Sequence, residues 1–71
     1  MEVLVFKTNV PDANEVTKVQ PLLNSISTIS QWNFDLDDED HILRVVATGL
    51  PPRFIELALN GAGYQCTELE Y

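Results

Sequence analysis

Seventy-one residues, 45% of them hydrophobic, make a single domain (1–71) with enough apolar material for one packed core, and they exclude a disordered chain. The net charge is −7, and the four basic residues Lys7, Lys18, Arg44 and Arg53 are scattered, so nucleic acid and anionic membrane are excluded as partners. No run approaches the roughly 20 apolar residues of a membrane span, and the N-terminus has no basic stretch leading into an apolar one, which points to a cytoplasmic domain.

Val3 to Thr8 is apolar and rich in β-branched residues, the composition of a strand. With Leu4 and Phe6 turned to the core, Val3, Val5 and Lys7 share the other face. Asn9-Val10-Pro11-Asp12 reads as a loop. Asp12 suits a helix N-cap, and Glu15 stands three residues on, the spacing of a capping box. Val16, Val19, Leu23 and Ile26 then form one helical stripe. Pro21 lacks an N–H and clashes with the preceding turn, so a kink or early weakening is expected there.

Trp32, Phe34 and Leu36 alternate with Gln31, Asn33 and Asp35, the clearest period-two signal in the chain. Asp37-Asp38-Glu39-Asp40 is the turn, and His41 to Thr48 the returning strand. Gly49-Leu50-Pro51-Pro52 breaks that strand, and proline is tolerated in the first helical turn that follows. Ile55, Ala58, Leu59 and Ala62 form the second apolar stripe, and Gly61 and Gly63 suit its end. Tyr64 to Leu69 is the last strand. The order is β-α-β-β-α-β, the ferredoxin-like α+β sandwich, in which two helices cover one face of a four-stranded antiparallel sheet. The predicted core is Leu4, Phe6, Val19, Leu23, Trp32, Phe34, Ile55 and Leu59.

Over nearly its whole length the chain resembles the heavy-metal-associated domain. The matching pieces are Phe6 to Val10, Val16 to Val19 with Pro21-Leu22-Leu23, Ile29 to Leu36, Leu43-Arg44-Val45, Ile55 with Leu59, and Gly61 to Tyr64. The resemblance implies a copper-chaperone-like scaffold that grips Cu(I) or Zn(II) with Cys-x-x-Cys where the first loop enters the first helix. Two thiolates at that spacing suit one soft ion. Here the two positions hold Asp12 and Glu15, so the implied soft-metal site lacks its ligands.

Asp12 and Glu15 have two readings. As a helix cap, Asp12 accepts from first-turn N–H groups and Glu15 reaches back to the Asp12 N–H. As a metal site, the two carboxylates, with Asn9 and Asn14 as possible helpers, would hold a hard divalent cation, although such ions usually take six or more oxygens. Asp37, Asp38 and Asp40 with His41 lack the spacing and glycine of a calcium loop and read as a solvated turn. Cys66, the single cysteine, lies in the last strand and does not replace the missing pair; it reads as a small buried hydrophobe. Tyr64 is expected to pack over the first loop.

His41 has no nucleophile at a catalytic spacing, and the chain has no nucleophile elbow or phosphate-binding glycine loop, so no enzymatic activity and no cofactor are expected. The open sheet face is the remaining candidate. Val3, Val5, Ile42 and Val46 beside Lys7 and Arg44 are expected to form an exposed apolar strip, through which the domain would meet another protein or a second copy of itself.

Overall fold

The computed structural model describes residues 1–70. Among these, β1 (Glu2–Thr8), α1 (Ala13–Asn24), β2 (Ile29–Asp35), β3 (Ile42–Ala47), α2 (Pro52–Gly61) and β4 (Cys66–Glu68) follow in the predicted order. The sheet order is β2-β3-β1-β4 and its pairings are antiparallel, so β1 and β3 are the central strands. Both helices pack on one face. No helix among the described residues is long and apolar enough to cross a membrane.

The core lies between sheet and helices. Leu4 and Phe6 of β1 and Leu43, Val45 and Ala47 of β3 meet Val19 and Leu23 of α1 and Ile55 and Leu59 of α2, all buried. Two loop residues, Val10 and Leu50, also enter this cluster, and so does Cys66. Trp32 and Phe34 pack against the core but are only half-buried, because β2 is an edge strand with a neighbour on one side. Their rings meet edge to face at 6.0 Å. The Trp32 Nε1–H donates to Asn24 Oδ1 at the end of α1, at 2.9 Å, which places the indole on the helix side of the sheet.

Several boundaries differ from the sequence reading for identifiable reasons. The helix α1 runs through Pro21 to Asn24. Pro21 and Thr17 are both exposed, so the Thr17 carbonyl left without a partner by the missing N–H faces water at little cost. Leu36 lies just past the end of β2 and does not join the core. A bulge between Ile29 and Gln31 turns Ile29 onto the same face as Trp32, three residues away, where strict alternation would oppose them. Ala62 is exposed, because it caps α2 rather than extending its buried stripe. The strand β3 spans Ile42–Ala47, one residue shorter at each end than expected. His41 stands outside it with φ +45°, a conformation that cannot continue a strand.

The end of α2 decides where β4 begins. Gly63 has φ +95°, in the region open to glycine. Its N–H donates to the Asn60 carbonyl at 3.0 Å, and the Tyr64 N–H donates to the Leu59 carbonyl at 2.9 Å, the paired bonds of a Schellman closure. With those groups committed, and with the Gln65 N–H held by Asn9 Oδ1, regular strand starts only at Cys66.

Leu59 joins both halves of this arrangement, a fully buried side chain and an accepting carbonyl at the closure. Leu59→Ala is expected to cost about 2–5 kcal/mol. For a domain whose total stability is only about 3–5 kcal/mol, that removes most of it, and urea denaturation should show the midpoint shifted strongly toward zero denaturant.

Candidate functional site: the loop into the first helix

The segment Asn9 to Asp12 is short, yet it is fastened at four places. Val10 is fully buried, so its backbone groups must find partners inside the protein. Its N–H donates to Thr8 Oγ1 at 3.2 Å. Its carbonyl accepts from His41 Nδ1, which must carry a proton to make that bond. Thr8 Oγ1 donates in turn to the His41 carbonyl at 2.6 Å. On the other side, Asn9 Oδ1 accepts the Gln65 N–H at 2.7 Å, and the Asn9 N–H donates to the Gln65 carbonyl at 3.3 Å. His41 thus serves as a clamp on the loop. Sequence reasoning missed that role, because Val10 and His41 lie 31 residues apart and no local pattern connects them.

At the helix entrance Asp12 is the N-cap. Its Oδ1 accepts the Glu15 N–H at 3.0 Å, and the backbone at Asp12 is extended, as a cap requires. The reciprocal half of the capping box does not form. Glu15 turns away from the Asp12 N–H because stronger donors are in reach. Its Oε1 accepts from the Tyr64 hydroxyl at 2.7 Å, and its Oε2 accepts from Lys18 Nζ at 2.9 Å. Tyr64 packs against the core, and its hydroxyl reaches the first turn of α1 at Glu15.

These contacts set the titration of the group. The Lys18 ammonium first, then the Tyr64 hydroxyl, hold the Glu15 carboxyl below its ordinary range. The same carboxylate raises Lys18 and, together with partial burial, raises Tyr64. Because the Glu15 pKa is depressed on folding, its contribution to stability is present above the ordinary carboxyl value and is lost as pH falls through the lower folded value.

As a place for a metal ion the site is poorly furnished. Both Glu15 oxygens and one Asp12 oxygen already accept protein hydrogen bonds, and Asn9 Oδ1 is occupied by Gln65. Among the described residues no group of three or more His, Cys, Asp or Glu side chains converges. Cys66 is paired in register with Thr8 on the sheet, buried in the core. Burial, and secondarily the Glu56 carboxylate, pushes its thiol up to about 12, which leaves it protonated at neutral pH. A soft ion binds the thiolate, not the thiol.

The architecture is that of known metal-handling domains. The chain is similar to the N-terminal domain of ZntA, solved in solution in its Zn(II) form, with a TM-score of 0.81 and 20% identity over 96% of this chain and 92% of that one. It is also similar to the apo HMA domain of the copper chaperone for superoxide dismutase, with a TM-score of 0.76 and 24% identity over 96% of this chain and 66% of that one. No protein-family profile and no curated protein matches it. The fold is thus that of a heavy-metal-associated domain, carried by a chain with one cysteine.

Two substitutions separate the roles of the loop carboxylates. Asp12→Ala removes the cap and is expected to cost about 1 kcal/mol, read by chemical denaturation. Tyr64→Phe keeps the packing and removes one donor to Glu15. A carbon-detected NMR titration of the variant should show the Glu15 pKa rising, yet staying below the ordinary carboxyl range because Lys18 remains. An unchanged Glu15 titration would mean that the hydroxyl bond contributes nothing in solution.

Proposed function

We propose that this domain is a non-catalytic interaction module, built on the heavy-metal-associated scaffold without soft-metal transfer, which meets another protein or a second copy through its open sheet face. The observation that carries this reading is the commitment of Glu15. At the position where the resemblance assigns a thiolate, the side chain spends both carboxylate oxygens on Tyr64 and Lys18, and Asp12 spends one of its own on the helix. A metal entering there would have to displace contacts that close the fold, and it would find no thiolate. Carboxylates are hard ligands and poor partners for Cu(I).

The open face supports the second half of the reading. Val3 is 65% exposed, and Val5 and Val46 beside it are half-buried. Ile42, expected in the same strip, is instead buried. It follows the β1–β3 register one step past the Phe6–Leu43 pair, which sets it across from Lys7, and on its other side it pairs with Asp35. The Lys7–Asp40 and Arg44–Asp35 ion pairs lie around it, at 3.5 and 4.0 Å. The apolar strip is therefore shorter than the alternation suggested and lies toward the far end of the sheet from the turn.

Competition against a Cu(I)-chelating dye, and the same measurement with Zn(II), should show no tight binding by the natural chain. Asp12→Cys with Glu15→Cys should acquire it if the loop keeps the geometry that the resemblance implies. Millimolar Mg(II), Ca(II) or Mn(II) should leave the melting temperature unchanged, since an ion that bound only the folded state would raise it. Tight stoichiometric Cu(I) binding by the natural chain would overturn the proposal. A Mn(II)-dependent rise in melting temperature that Asp12→Ala abolishes would replace it with an oxygen-ligand metal site at Asp12 and Glu15.

A further inference from the structure

The open face carries a shallow groove of about 180 Å³, whose lining on that face is Val3, Gln31, Asn33, Arg44 and Val46. The register orders the face in three rows. Farthest from the β2–β3 turn, Gln31, Val46 and Val3 stand side by side; next come Asn33, Arg44 and Val5; nearest the turn are Asp35 and Ile42. The groove occupies the two far rows. A volume of that size admits one aliphatic side chain, and an apolar contact that small supports only weak association unless charge is added.

The charges on the face determine what can be added. Its two cations are neutralised within the molecule, Lys7 by Asp40 and Arg44 by Asp35. Beyond them, at the turn end of the same sheet, Asp37, Asp38 and Glu39 are exposed, and among the described residues none of the three has an ion-pair partner. The field over this end is therefore negative, in a chain of net charge −7. A second copy brings the same excess negative charge to the face, as does any anionic segment. The complement is cationic.

We propose that the open face docks a cationic segment of another protein, which seats one aliphatic side chain over Val3 and Val46 and sets Lys or Arg side chains against Asp37, Asp38 and Glu39. This rests on the interaction-module reading and names its partner class. The spacing follows from the sheet. Val46 and Ile42 are four residues apart, about 13 Å at roughly 3.3 Å per residue, with the turn just beyond. An extended segment therefore needs about four or five residues between its apolar and its basic parts.

The probe is a short synthetic peptide with one leucine, a spacer of four small polar residues and three lysines, titrated into the isotope-labelled domain. Two control peptides replace the lysines by glutamates or the leucine by serine. The lysine–leucine peptide should shift the amides of Val3, Gln31 and Val46 together with those of Asp37 to Glu39, and its affinity should fall about tenfold or more from low to high salt. The serine control should lose the groove shifts and keep those at the turn. Asp37→Asn with Glu39→Gln, which spares the turn bond from the Asp40 N–H to Asp38 Oδ1, should weaken binding several-fold. Val3→Ser with Val46→Ser should do the same, with an unperturbed spectrum confirming the fold. Shifts confined to the turn, or an unshifted face, would overturn the cationic assignment. Stronger binding of the glutamate peptide would overturn it and leave a docking face, as would self-association in sedimentation that Val3→Ser with Val46→Ser abolishes. The broader reading fails separately, on tight Cu(I) binding by the natural chain.

Discussion

Burying Val10 obliges the rest of the first loop to be orderly. A loop residue that enters the core takes its peptide groups out of water, and each then requires a partner. Thr8 takes its N–H and His41 its carbonyl, and the Thr8 hydroxyl ties back to His41. Three residues from β1, the loop and the foot of β3 are thereby joined, and the backbone at Asp12 arrives in the extended conformation from which α1 can start. The left-handed backbone of His41 belongs to the same arrangement, since its ring reaches Val10 from a turn rather than from a strand.

The second support of the loop comes from the opposite end of the chain. Gly63 allows α2 to close on itself, that closure sets Tyr64 beside α1, and the hydroxyl meets Glu15. A thiolate pair closing around a metal would draw a loop together from within. Here the closure uses a tyrosine, a lysine and a carboxylate, with no ion required. Asp12 and Glu15 are thereby employed in holding the fold.

Apart from the first loop, the sheet is the surface with recognisable chemistry. Its interior half packs the helices, and its outer half mixes valines with two cations that are already paired. Uneven charge, rather than a large apolar area, distinguishes this surface from an ordinary exposed sheet. Unpaired carboxylates gather at one end and the apolar groove lies toward the other.

Much of this was legible in the sequence because it depends on near neighbours. Period-two alternation at Trp32 and Phe34, the helical stripes of Val19 with Leu23 and of Ile55 with Leu59, the cap at Asp12 and the glycine after α2 are local patterns, and local sterics and hydrogen bonding determine them. The absence of the cysteine pair was equally plain. What only the tertiary structure decided depends on residues far apart in the chain. Glu15 has two possible uses, a return bond to its own helix or a bond to Tyr64, and only the packing of α2 beside α1 selects between them. Alternation assigns Ile42 to the outer face correctly, but its burial comes from neighbours on two other strands. Strand position in the sheet leaves Trp32 half-exposed at an edge, and the fastening of Val10 by His41 spans 31 residues. Periodicity says which way a side chain points; which groups it meets there is a property of the assembled fold.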